Sequence, residues 1–192
     1  MPLMARLAVA FYVLLAAVGA TINAVRDRPL VPLAGEPDRL LPATAAALVA
    51  AAGIIFGSAV ASRRFEWAKR LEATFRQALG PLERREIRVI ALASGLGEEI
   101  FFRGALQPAL GDLLRSDVIG LLLATLVFAL LHTAPGRGLI AWTIFAFVVG
   151  LLLGGLFSWS GSVIPPVLLH VVVNDRNLAR IARPLRVAAE DA

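Results

Sequence analysis

The chain has 192 residues, of which 58% are hydrophobic and 17% charged, and its mean hydropathy is +0.77. Soluble domains carry roughly 45–50% apolar and about 25% charged residues, so a water-soluble globule is excluded and an all-α, multi-pass bundle of transmembrane helices is expected. The net charge of +5 and pI near 11.1 do not point to nucleic acid: the basic residues lie between apolar spans with no interleaved aromatics, as membrane topology demands. The absence of cysteine excludes disulfides, thiolate nucleophiles and Cys-based metal sites.

Leu3–Val25 is a first apolar span, broken only by Arg6. Small residues at Val18-Gly19-Ala20 resemble a signal-peptide cleavage site, but the apolar part is longer than a signal core and is expected to stay in place. Residues 26–42 form a polar connector whose prolines at 29, 32, 37 and 42 predict an extended chain. Residues 43–61 are a second span, rich in Ala and Gly, as contacts between helices in lipid tend to be. Residues 63–88 carry eight basic and four acidic side chains, with Phe65, Trp67, Leu71, Phe75 and Leu79 as an apolar side. They predict an amphipathic helix lying on the membrane surface, ended by Gly80-Pro81 and followed by a basic lead-in to the next span.

Residues 89–110 are the third span, 118–134 the fourth and 139–159 the fifth. A sixth apolar stretch, 162–174, is short for the roughly 20 residues of a full crossing; it either runs on into an amphipathic tail reaching about Pro184 or begins inside the protein. Six spans put both termini on one side. That side, with the 63–88 segment, holds 14 of the 19 Lys and Arg; the other holds four, and Arg103 lies within the membrane. The positive-inside rule then predicts cytoplasmic termini, and the Ala/Leu/Arg-rich composition fits a bacterial plasma membrane. No internal repeat is evident, and residues 1–192 are expected to form one membrane domain: two spans and the amphipathic segment over 1–81, and a core over 82–182.

The third span contains Glu98, Glu99 and Arg103. Ionisable groups at membrane depth cost roughly 2.5–3.5 kcal/mol each on insertion scales and usually mark a function. Glu99 and Arg103 share a helix face with the acid N-terminal to the base, an orientation that favours a structural ion pair. Adjacent helical residues diverge by about 100°, which leaves Glu98 to face a polar cavity. Glu98 is ten residues beyond Arg88, about 15 Å into the membrane at the helical rise. The only two histidines, His132 and His170, also fall in apolar helices near the cytoplasmic side, and Asn174 is one turn from His170. All four can meet in the cytoplasmic half of the bilayer. A carboxylate beside a histidine can deprotonate water, while Asn and a second His can donate to an oxyanion; together they suffice for amide or ester hydrolysis. The alternative is zinc held by Glu98, His132 and His170 with one position left for water, although no HExxH motif supports it.

The segments EEIFFRG (98–104), FALLH (128–132) and HVVVN (170–174) resemble, in order and spacing, the EExxxR, FxxxH and HxxxN motifs of the CPBP (Abi) intramembrane proteases, which include the type II CAAX prenyl endopeptidases. The likeness covers about residues 82–182. It implies a membrane-embedded endopeptidase with Glu98 as the water-activating glutamate, His132 as its assistant, and His170 and Asn174 as oxyanion stabilisers. Glu99 and Arg103 match motif positions and carry the structural role read above. Both metalloprotease and metal-free glutamate schemes have been argued for this family. Metal-free hydrolysis is the expectation here, since Asn is an unusual zinc ligand. The implied partners are the lipid bilayer and a peptide or protein substrate, itself membrane-associated or not; a requirement for prenylation does not carry over. Two other readings are a non-proteolytic interaction protein, such as a bacteriocin-immunity factor, and a proton-coupled transporter using Glu98 and His132 as a relay. The intact polar set weighs against the first, and the lack of repeated halves against the second.

Overall fold

The computed structural model describes residues 3–133 and 140–182. Their regular structure is helical: α1 (Leu3–Val25), α2 (Pro37–Arg64), α3 (Glu66–Leu79), α4 (Arg84–Phe101), a π-helical segment (Phe102–Leu106), α5 (Gln107–Leu114), α6 (Asp117–Leu131), α7 (Ile140–Ser160) and α8 (Ile164–Ile181). The end of the expected fourth span at Ala134, the start of the fifth at Leu139 and the tail beyond Ala182 lie outside the described residues. The molecule is an all-α, multi-pass helical bundle. Among the described residues, Ala5–Val25, Pro37–Arg64 and Ile140–Ser160 are long and apolar enough to cross a membrane, and α6 is apolar but shorter. The charged side chains of α4 and α8 keep those two helices from standing out by composition.

Several boundaries differ from the sequence reading. The second span begins earlier, at Pro37, because a proline in the first turn loses no intrahelical hydrogen bond; the later Pro42 is also taken into the helix. The chain before it is not uniformly extended, because it turns at 26–28 with Asp27 at a φ of 51° and Leu33 N–H donates to Val31 O at 2.9 Å. It docks against the α7–α8 turn, where Glu36 N–H donates to Ser160 O at 2.8 Å and Val163 N–H to Pro32 O at 3.0 Å. The amphipathic helix is α3, and Gly80 ends it with a φ of 66°. α4 starts at a reciprocal capping box in which the Glu83 N–H donates to Glu86 Oε2 at 2.9 Å. The sixth stretch does run on, as α8, to Ile181.

α4 is the central strut, packed against α1 and α8 and continuing through the π segment into α5, which pairs with α6. Gly97 meets α1 at Tyr12 and Gly19 meets α4 at Phe101, so α1 and α4 run parallel. α8 runs the other way, from Val163 beside Gly104 to Asp175 beside Arg84. α3 crosses beneath the Arg84 end: Arg180 Nε donates to Glu72 Oε1 at 2.9 Å, and Arg76 Nε to Ile181 O at 2.8 Å. At the opposite end Arg28 donates to Asp112 at 2.6 Å, joined there by Arg26.

Packing is inverted relative to a soluble protein. Large apolar side chains such as Phe11, Phe56, Leu130 and Ile144 are exposed, while Ala43, Ala47 and Ala51 are fully buried against Leu153, Leu169 and Val173. In lipid no hydrophobic force drives helices together, so close approach of small residues and internal hydrogen bonds must do so. Gly95 shows the demand: a Cβ there would stand 2.4 Å from Val171 Cγ2, closing the α4–α8 contact. The interior is accordingly polar, with Asn23, Glu99, Arg103, Gln107 and Thr125 among its most buried side chains.

Candidate active site

The site lies where α4 enters the π segment. A π turn inserts a residue and re-aims those on either side, a device frequent at functional sites. Here it needs outside support. Asn23 Nδ2 donates to Gly104 O at 3.0 Å, and Gln107 Nε2 donates to Gly154 O at 3.2 Å and Ser158 Oγ at 2.9 Å. α1 and α7 thereby hold the segment that positions Arg103.

Glu99 is fully buried and doubly partnered. Arg103 Nη1 donates to Glu99 Oε1 at 3.3 Å, and His170 Nδ1 lies 2.7 Å from the same oxygen. The guanidinium also donates from Nη2 to Gly150 O at 3.1 Å and sits over the Phe128 ring, 4.4 Å from its centroid. Buried charges demand such pairing. The Glu99–Arg103 contact is thus one side of a three-residue cluster; the link to His170 had no signal in helical spacing, because it joins residues 71 apart.

Glu98, 6% exposed, turns to another face of α4. Its Oε2 stands 3.8 Å from His132 Nε2 and 3.8 Å from His170 Nε2, and it has no hydrogen-bond partner. Those separations are too long for a direct hydrogen bond and suit a bridging water. His132 Nδ1 lies 2.7 Å from Phe128 O. A carbonyl only accepts, so Nδ1 carries a proton and Nε2 is the nitrogen turned toward Glu98. His132, at the end of α6, keeps 23% of its side chain exposed and is the most open of the three.

α4, α6 and α8 therefore bring Glu98, His132 and His170 together. Asn174 is placed one turn along α8, half-buried, with Nδ2 donating to Ser94 Oγ at 2.9 Å. Sequence reasoning missed Ser94, although it lies one turn before Glu98 on α4. It also missed Tyr12 of α1, which packs on Gly97, the residue before Glu98; a lone tyrosine in an apolar span was the available signal. Phe128 entered only as a motif letter, yet its ring walls the site between Arg103 and His132, its centroid 4.3 Å from that of His132.

Residues 85–175 match the family model described as Rce1-like, type II CAAX prenyl endopeptidase. The resemblance read from the three motifs is borne out over that segment, which contains Glu98, Glu99, Arg103, His132, His170 and Asn174. An uncharacterized protein of Bacillus subtilis (strain 168), YpbD, is 33% identical over 87 residues, spanning 44% of this chain and 40% of that protein. The match thus covers well under half of that relative's length. No solved structure matches the chain.

Proposed function

We propose that the protein is a membrane-embedded endopeptidase that hydrolyses a peptide bond with water activated by Glu98. The observation that carries this reading is the meeting of a buried carboxylate, its Oε2 without a hydrogen-bond partner, with two imidazole Nε2 atoms, each 3.8 Å away, from three different helices. The Rce1-like match over the same residues supports it.

In this mechanism a water bridges Glu98 and His132. Glu98 accepts its proton as the oxygen attacks the scissile carbonyl carbon, and neutral His132 orients the water through Nε2. With both ring nitrogens protonated, His170 donates from Nδ1 to Glu99 and from Nε2 to the oxyanion. Asn174 retains a second N–H for the same oxygen. Glu98 then returns the proton to the leaving amine as the C–N bond breaks, giving a carboxylic acid and an amine. The charges balance: carboxylates at 98 and 99 offset the Arg103 guanidinium and the His170 imidazolium, as a low-dielectric site requires.

Zinc would call for two His and one carboxylate around a single point. Among the described residues no three His, Cys, Asp or Glu side chains are grouped to hold a metal ion. The reading proposed here is the metal-free one, and no step above passes through a metal. We further propose that the protein lies in the plasma membrane with both termini cytoplasmic, supported by the alternating helix directions and by the basic residues around α3 and the start of α4. The substrate is then a peptide or membrane-associated protein reaching the site from that side.

The test compares wild type with Glu98→Gln, both purified in detergent, for cleavage of a peptide library, with metal content assayed in parallel. Cleavage by wild type alone is expected. Cleavage by both, or by neither, would overturn this reading, the latter in favour of a non-proteolytic interaction or immunity protein. Stoichiometric zinc would overturn the metal-free step.

A further inference from the structure

We infer that Tyr12 is a positioning residue for Glu98, its phenol holding the carboxylate from a helix outside the family-like segment. The kinetic consequence rests on the hydrolase reading above; the contact itself does not.

Tyr12 is the chain's only tyrosine. Its neighbours on α1, Phe11, Val13 and Leu14, are exposed where lipid would lie, whereas Tyr12 is half-buried. The backbone explains how it reaches the site. A Cβ on Gly97 would stand 2.4 Å from Tyr12 O and 2.9 Å from Tyr12 Cβ, so only glycine lets α1 come this close. Two turns later on α1 a Cβ on Gly19 would stand 2.9 Å from Phe101 Cα, which pins the two helices in parallel register. Gly97 immediately precedes Glu98, so α1 sets Tyr12 beside the turn of α4 that carries that carboxylate.

The other groups facing Glu98 leave this role open. His132 from α6 and His170 from α8 stand at 3.8 Å, beyond direct hydrogen bonding, while Arg103 and His170 Nδ1 are committed to Glu99. A phenylalanine would fill the same space between α1 and α4, and a hydroxyl in an apolar helix is costly unless paired. The hydroxyl is therefore the informative part. By donating to one lone pair it fixes the carboxylate plane, so that the other lone pairs face the imidazoles and the water between them.

A single tyrosine makes the test clean. Full-length protein grown with 3-fluorotyrosine carries one fluorine resonance, to be compared in wild type, Glu98→Gln and, as a control at the opposite end of the bundle, Asp112→Asn. The resonance should move in Glu98→Gln and stay in Asp112→Asn. In parallel, Tyr12→Phe should lower kcat about tenfold, the order expected for losing a hydrogen bond to a charged group, with KM and melting temperature unchanged. An unmoved resonance in Glu98→Gln overturns the inference whatever the activity. A moved resonance with wild-type kcat in Tyr12→Phe reduces the contact to packing and overturns positioning. If wild type cleaves nothing, the hydrolase reading falls and the resonance alone decides whether Tyr12 holds Glu98.

Discussion

Glu99 Oε1 is held by Arg103 Nη1 at 3.3 Å and His170 Nδ1 at 2.7 Å, its Oε2 alone lacking a partner, whereas Glu98, one residue earlier, turns its unpartnered Oε2 between two imidazoles at 3.8 Å. One peptide step along a helix rotates the side chain by about 100°, and that rotation separates a carboxylate that holds helices together from one left free to react. His170 belongs to both corners: its Nδ1 belongs to the structural cluster and its Nε2 to the open site. In the proposed mechanism the structural corner thereby orients the reactive one.

The sharpest way to break this comparison is Glu98→Gln. Loss of the base should reduce kcat by about 10³-fold, with the amount and melting temperature of membrane protein unchanged. A variant that fails to accumulate would show Glu98 to be structural as well. Arg103→Ala probes the other corner. Removing one partner of a buried pair costs about 3–5 kcal/mol because the remaining charge is stranded. Lower yield and an earlier melting transition in detergent are expected; unchanged yield with turnover alone abolished would assign Arg103 to the chemistry. His132→Ala should fall between these in character, lowering kcat about 10²-fold without affecting yield, since its ring packs at the half-open edge of the site.

Much of this arrangement was legible in the sequence, and the reason is the membrane. In an apolar chain each polar residue stands out, so Glu98, Glu99, Arg103, His132, His170 and Asn174 could be singled out one by one. Helical spacing then separated the two glutamates and joined Glu99 to Arg103. Contacts between helices were not legible. Spacing cannot link His170 to Glu99, Asn174 to Ser94 or Tyr12 to Gly97, because each depends on which faces pack. The π segment was likewise hidden, since Phe102–Leu106 contains no proline and its one glycine, Gly104, is ordinary in a membrane helix. The early start of α2 was missed because prolines at 37 and 42 read as an extended chain until the first of them proves to lie in a helix's opening turn.

The smallest expected effect tests how far the orienting scaffold extends. Asn174 Nδ2 donates to Ser94 Oγ at 2.9 Å, and Ser94 Oγ donates in turn to Ala91 O at 3.2 Å. This relay fixes the amide, so one N–H is spent on α4 and the other is the one that the proposed mechanism assigns to the oxyanion. Ser94→Ala removes the acceptor and leaves Asn174 free to rotate, but it takes no donor from the oxyanion. A single neutral hydrogen bond is worth about 0.5–1.5 kcal/mol, so kcat should fall by about three- to tenfold. Asn174→Ala deletes the donor itself and should cost about 10²-fold. The difference between the two is the informative quantity. Equal losses would mean that Asn174 acts only by bracing α8 against α4, and would move it from the reactive corner to the structural one.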